Sequence, residues 1–406
     1  MTAAPNPEQR HVGTLDGVRA IAAYGVIATH VGFQSGRSLD HGPFAPFLAR
    51  LEFGVTLFFL LSGFLLFRPF AVAALERRSD PPWHSFWWRR LLRIMPAYWL
   101  AIVVTLGLLT AQRTTGTEWR SYLLLTQIYD RHGVDSSLSQ MWTLAVEISF
   151  YAALPLLAWL ARRVLPGRPL RGQLALLSAL AVTALASNLI VHSHELTSPA
   201  LQWLPTYFDW FALGMLLAVL SARPAGEPRW MAALRELAAA PATCWVAGAL
   251  LYWISTLPLA GPRSLLPSTT WEWTARHYLY GLAAFFFLLP VMLGTTPWLQ
   301  RLLGNPVMRW LGTISYGVYL WHLPLLIAIA RWMGWGVFQG HFVPLYVLTT
   351  LSATLAAALS WYLLERPLLR RFSRPWRITG RPREQRQGER QQSEQLKAGA
   401  ARENVG

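Results

Sequence analysis

The sequence predicts an all-α protein, a polytopic membrane helix bundle of about ten transmembrane helices with both termini cytoplasmic. Three observations predict it. Only 14% of the 406 residues are charged while 53% are apolar, against roughly 25% charged residues in a typical soluble domain. The apolar residues gather in runs long enough to cross a hydrocarbon core of about 30 Å, which takes roughly 20 helical residues. The arginines cluster between those runs, more heavily in alternate loops, which is the pattern that orients a membrane chain.

The apolar runs cover residues 15–34, 51–70, 95–112, 141–161, 173–191, 203–221, 242–257, 277–294, 311–330 and 343–364. The first begins near Leu15, contains Arg19 and His30, and has no small-residue cleavage site. It therefore reads as a retained span rather than a signal peptide. The loop after the second run holds Arg77, Arg78, Arg89, Arg90 and Arg93, and the loop after the fourth holds Arg162, Arg163, Arg168 and Arg171. The segment after the last run opens with Arg366, Arg370, Arg371, Arg374 and Arg377. Ten spans put all three on one side. The opposite loops carry fewer: Arg37 and Arg50, then Arg113, Arg120 and Arg131. The richer side is cytoplasmic, which makes the chain a multi-pass plasma-membrane protein with both ends inside. The expected organisation is an N-terminal cytoplasmic segment at 1–14, a membrane domain at 15–367, and a basic, polar tail at 368–406 that stays disordered or lies on the membrane. The 21 tryptophans suit the membrane–water interfaces.

The net charge of +16 raises nucleic-acid binding. The basic residues form short clusters between apolar runs and not one stripe among polar residues, which argues against that partner. A single cysteine, Cys244, excludes an intrachain disulfide and a thiolate metal site. No metal and no permanently bound cofactor is expected, and no HExxH, GxSxG or Walker pattern occurs.

Ionisable side chains in hydrocarbon are costly, about 2.5–3.5 kcal/mol on insertion scales, so those within the spans are functional candidates. Four lie well inside: His30, Glu147, Asp209 and His322. Counting along each span puts all four in the outer half of the bilayer, which suggests one polar site. Arg19 and His30 are eleven residues apart, so they share nearly one helix face about 16 Å apart along the axis. Near the Arg19 end stand Arg89, Arg90 and Arg93, spaced so that they can point together. Arginine forks suit phosphate oxygens. A phosphate clamp at the cytoplasmic mouth and a base about 16 Å away match a ligand with a polyanionic head and a long neutral arm, the shape of an acyl-CoA thioester. Histidine is suited to take a hydroxyl proton near neutral pH, and a carboxylate, Glu147 or Asp209, would orient its ring.

Plainer readings stand beside these. A histidine or carboxylate inside a bundle can satisfy a helix–helix hydrogen bond, most readily His322 beside Trp321 and before Pro324. Arginines outside the spans set topology by default. Intramembrane histidines and carboxylates also build the proton relays of transporters, although the sequence shows no internal repeat or paired broken helices.

The chain resembles the integral-membrane acyltransferase family known as acyltransferase-3. The likeness rests on LDGVRAIAAYGVIATH at 15–30, FFLLSGF at 58–64, RRLLRIMPAYWL at 89–100, MWTLAVEISFY at 141–151, ISYGVYLWH at 314–322 and LLERP at 363–367, in the family's order. It implies about ten helices and transfer of an acyl group, commonly acetyl, from acyl-CoA to a hydroxyl of a glycan or a small molecule such as a macrolide. The family's functional Arg and His of the first block match Arg19 and His30, and its paired arginines before Ile-x-Pro match Arg90 and Arg93. Many members read Glu-Glu-Gln in the fourth block, where this chain has Glu147-Ile148-Ser149. The expected site is therefore His30 and Glu147 for catalysis, Arg19, Arg89, Arg90 and Arg93 for the acyl-CoA, and Asp209, His322 and Trp142 for the acceptor.

Overall fold

A computed structural model describes residues 7–109, 115–129, 136–193, 199–224, 226–263, 268–294 and 296–372. Of the tail expected at 368–406, the part from 373 onward, with Arg374 and Arg377, lies outside the described residues, as do Arg113 and Arg131, while 368–372 are helical. The long helices, in chain order, are α1 (Pro7–Ser35), α2 (Gly54–Leu75), α3 (Trp83–Val104), α4 (Trp142–Val164), α5 (Pro169–Ser193) and α6 (Phe208–Ser221). They continue as α7 (Arg229–Ala238), α8 (Pro241–Ile254), α9 (Thr270–Leu293), α10 (Pro306–Trp332) and α11 (Phe342–Ser360). No strand occurs among the described residues. The protein is an all-α, polytopic membrane bundle.

Each of the ten apolar runs falls on a helix, but they are not equal. Among the described residues, eight helices are long and apolar enough to cross a membrane, and α7 with α8, bent by 96° at their junction, makes a ninth if the pair is one span. Helix α8 has only 14 residues, about 21 Å at 1.5 Å per residue, too short to cross alone. Helix α1 has 29 residues, yet Asp16, Arg19 and His30 interrupt its apolar character, and it is not among the eight. It brings Asp16, Arg19 and His30 into the bundle. Helix α3 begins at Trp83, about three turns before the expected span. Arg89, Arg90 and Arg93 thus lie within a helix and not in the loop to which the sequence assigned them.

Local signals set the helix ends. Thr269 and Glu272 form a capping box at the start of α9, and the Asn305 side chain accepts from the Met308 N–H ahead of α10, whose first residue is Pro306. Helix α11 runs through a π-helical turn, Trp361–Glu365, into a short helix, Arg366–Phe372.

Helix α2 is the centre of the bundle, packed against α1, α4, α5, α6 and α9. Its closest partner is α6, where small residues let the backbones meet. A Cβ added at Gly63 would fall under 3.0 Å from the Phe211 carbonyl, and one added at Gly214 would fall under 3.0 Å from the Leu60 carbonyl. Phe211 stacks between Phe59 of α2, at 4.8 Å, and Phe150 of α4, at 3.9 Å between ring centroids. Gly312 gives α10 the same close approach to the backbone of Asp16 on α1. Leu351, Leu355 and Leu359, at i, i+4 and i+8 of α11, are exposed, the stripe expected of a helix that faces lipid.

Candidate active site

The close packing of α1, α2, α3, α4 and α10 leaves a cavity of about 100 Å³ between them. Helix α1 contributes Arg19, α2 contributes Ser62, and α3 contributes Arg90 and Arg93. Glu147 and Tyr151 enter from α4, and Ser315, Tyr316 and Tyr319 from α10. Phe58, Phe59, Leu65 and Leu66 close the apolar side.

Glu147 is the hub of the polar wall. One of its carboxylate oxygens accepts from the Ser62 hydroxyl and from the Tyr151 hydroxyl, the latter at 2.5 Å. Tyr151 is four residues on from Glu147, on the same helix face, and its carbonyl accepts from the Trp87 indole at 2.9 Å. The Tyr316 hydroxyl donates to the Ile94 carbonyl at 2.9 Å, which fixes α10 against α3 one residue past Arg93. Arg19 lies 3.4 Å from the Asp16 carboxylate, one turn earlier on α1. Among the described residues no carboxylate lies at ion-pair distance from Arg90 or Arg93. Glu365, buried on the π-helical turn and accepting from Ser360 at 3.0 Å, acts on Arg93 only at longer range. Three guanidinium groups thus face one carboxylate within the cavity, and its balance is positive. Such a site attracts an anion, because guanidinium groups held in low dielectric gain more from a negative ligand than they would in water.

The histidines occupy a separate place. His30 is half-buried and His322 fully buried. Their rings are 5.1 Å apart, and His30 Nδ1 lies 3.2 Å from His322 Nε2. Neither lines the cavity. Tyr319 does, and its ring stands 5.5 Å from that of His322. The Tyr319 hydroxyl is 2.8 Å from the Thr143 hydroxyl and donates to the Gln140 carbonyl at 3.2 Å. Tyr319 is thus shared between the arginine cavity and the histidine pair.

The structure gathers the sequence candidates differently from the single outer site expected. Arg19, Arg90, Arg93 and Glu147 come together, and His30 joins His322. Glu147 sits with the arginines on the cavity wall, where one of its oxygens accepts from Ser62 and Tyr151. Arg89 is exposed and does not line the cavity. Asp209 is engaged elsewhere: it is buried, receives the Trp210 N–H at 2.9 Å, and lies 2.8 and 3.0 Å from His277 Nε2. Trp210 stacks on His277 at 4.4 Å and donates its indole N–H to the His277 carbonyl. Neither intramembrane carboxylate therefore contacts His30. Trp142 lies outside the cavity, against Phe59 and Tyr207 at 6.2 and 5.1 Å. Sequence reasoning did not select Ser62, Tyr151, Tyr316, Tyr319 or His277. Tyr151 had a signal, four residues from Glu147. Ser62 stood as the polar residue in FFLLSGF, and His277 at the edge of a span, where a titratable group is unremarked.

The fold and the site define a polytopic membrane protein with a buried basic chamber and an intramembrane histidine pair. The chain belongs to the acyltransferase family the sequence resembles: a family model described as an acyltransferase domain matches residues 12–364. The chain is 26% identical over 347 residues to "Peptidoglycan O-acetyltransferase OatA" of Listeria monocytogenes, covering 78% of this chain and 50% of that protein. It is 27% identical over 347 residues to "Nodulation protein 10" of Rhizobium leguminosarum bv. viciae, covering 78% and 82%. It is 22% identical over 383 residues to "O-acetyltransferase OatA" of Staphylococcus aureus strain NCTC 8325, covering 88% and 57%. The chain spans about half the length of the two O-acetyltransferases. No solved structure matches it.

Proposed function

We propose that this chain is a membrane O-acyltransferase that moves an acyl group, acetyl first among them, from acyl-CoA to a hydroxyl of a carbohydrate acceptor. The observation that carries the reading is the convergence of Arg19, Arg90 and Arg93 on one chamber, with no carboxylate among the described residues ion-paired to Arg90 or Arg93. His30 stands on the same helix as Arg19, about 16 Å further along. The donor's phosphates would take the arginines, and its arm would run along α1 toward His30. Because Tyr319 belongs to both places, its ring must move aside for the thioester to arrive. His30 then takes the proton of the acceptor hydroxyl as that oxygen bonds to the thioester carbonyl carbon. The carbon–sulfur bond breaks, and the imidazolium returns the proton to the departing thiolate, giving CoA and an ester. An acyl-histidine on the way would differ only in having the ring nitrogen attack first. Glu147 holds Ser62 and Tyr151 and offsets part of the arginine charge.

The Listeria monocytogenes relative, whose name gives peptidoglycan as its acceptor, makes a glycan hydroxyl the first acceptor to test, with a small molecule such as a macrolide as the other arm. The donor side is read as cytoplasmic, with both termini inside, from the loop arginines.

The test uses purified protein in nanodiscs, with acetyl-CoA as donor and glycan fragments or macrolides as acceptors. Wild type binds acetyl-CoA and releases CoA with an acetylated product. His30→Ala binds the donor without turnover. A folded wild type with no affinity for any acyl-CoA overturns the reading.

A further inference from the structure

We infer that His322 is a positioning residue that fixes the His30 ring with its Nδ1 protonated and its Nε2 free. The inference rests on the proposed role of His30 as base and replaces the acceptor-contacting role that the sequence suggested for His322. His322 is 0% exposed, so it has no open face to offer a substrate. Its Nδ1 lies 2.7 Å from the Tyr319 carbonyl oxygen. A carbonyl only accepts, so that nitrogen carries the hydrogen. In the neutral ring the other nitrogen, Nε2, is then a lone pair, and it is 3.2 Å from His30 Nδ1. His30 Nδ1 is also 3.0 Å from the Val26 carbonyl. Two acceptors therefore surround one nitrogen of His30, which places the hydrogen on Nδ1 and leaves the Nε2 lone pair as the only basic position on the ring.

The consequence is directional. In the other tautomer His30 Nδ1 would set its lone pair against two further lone pairs, so that state is disfavoured by both neighbours at once. When Nε2 takes a proton, the Nδ1–H remains shared between Val26 and His322, and the imidazolium forms without any rearrangement. This is the orienting part of the work a carboxylate does in a hydrolase triad, performed here by a neutral ring without the carboxylate's charge. Asp209 and Glu147 both contact other groups. Glu52 influences His30 only at range and is itself 3.3 Å from the Tyr280 hydroxyl. The close approach of α10 to α1 at Gly312 holds the two helices in the register that brings the histidines together.

The experiment compares His322→Leu, which removes the acceptor, with His322→Gln, whose side-chain oxygen restores one, alongside His30→Ala. Acetyl-CoA binding, CoA release as kcat and KM, and thermal stability are read for each. His322→Leu should keep donor affinity within about twofold and lose about 10²-fold or more in kcat, as loss of a ring-orienting partner does elsewhere. His322→Gln should recover most of that loss, although both variants remove the same buried ring. A merely structural role predicts instead that kcat, donor binding and stability fall together in both. If His322→Leu turns over normally while His30→Ala is dead, the positioning role is refuted and the acyltransferase reading stands. If His30→Ala turns over normally, the base assignment falls and this inference with it. Nitrogen-15 spectra of histidine-labelled wild type, assigned by loss of the His30 signals in His30→Ala, give an answer that needs no stable His322 variant. They should show both rings as the Nδ1–H tautomer, and an Nε2–H tautomer at His30 overturns the proposal.

Discussion

The contact between α2 and α6 makes a stability prediction whose size can be worked from the backbone alone. At Gly214 an added Cβ would sit under 3.0 Å from the Leu60 carbonyl, whereas at Gly25 it would meet its nearest neighbour, the Leu51 carbonyl, at 3.8 Å. Both glycines are in helix interiors. Replacing either by alanine brings the same intrinsic helix gain, about 0.8–1.0 kcal/mol. At Gly25 nothing opposes that gain. At Gly214 the obstacle is a backbone carbonyl, which has no rotamer to move into, so the helices must part until ordinary contact at 3.4 Å is restored. Overpacking of this kind costs about 1–3 kcal/mol. Subtracting the two variants cancels the helix term and leaves the packing cost, a factor of about 5–150 in the folded-to-unfolded ratio. The assay is unfolding in one detergent at one scan rate, since membrane proteins unfold irreversibly and only matched scans compare. Gly63→Ala, which meets the Phe211 carbonyl across the same crossing, should cost a similar amount. The Gly63→Ala, Gly214→Ala double variant should cost less than the sum, because one separation relieves both clashes. Equal stability of Gly25→Ala and Gly214→Ala, or strict additivity of the double variant, refutes the reasoning.

Further outcomes follow from the site. On the proposed reading, Arg93→Ala removes one charge-assisted contact to the donor's phosphates and should weaken acetyl-CoA binding by about 10–150-fold, from about 1.5–3 kcal/mol. Arg89→Ala, at an exposed position off the cavity, should leave binding within about twofold; calorimetric titration of the two variants separates a chamber from a merely basic surface. On the same reading, Tyr319→Trp puts a bulkier ring in the proposed path of the thioester, and should keep donor affinity while lowering kcat by about 10²-fold, measured as CoA release. Asp209→Ala strips the buried His277 ring and the Trp210 N–H of their acceptor, and should cost about 1.5–3 kcal/mol of stability, with donor affinity of the folded fraction unchanged in the same titration.

Much of the architecture was legible because the physics behind it is local. Backbone groups in a bilayer must satisfy themselves, so each apolar run of spanning length had to be a helix, and all ten runs fall on helices. What composition could not weigh was the polar seam. Helix α1 is the least membrane-like of the long elements because Asp16, Arg19 and His30 lie in it, and α8 is short because the bend to α7 lies just before the expected run and the helix stops at Ile254, within that run. Within the site, contacts along one helix were readable from spacing: Arg90 with Arg93, and Glu147 with Tyr151. Contacts between helices were not. The sequence offered His30 two carboxylates as partners, on the general ground that a histidine base is oriented by an anion. It could not show that Ser62 and Tyr151 engage Glu147, or that His277 engages Asp209. Those pairings depend on helix rotation, which the close approaches at Gly63, Gly214 and Gly312 impose. With both carboxylates engaged elsewhere, the partner left for His30 is the ring of His322. The glycines that fix helix rotation therefore also fix which nitrogen of His30 is free to take a proton.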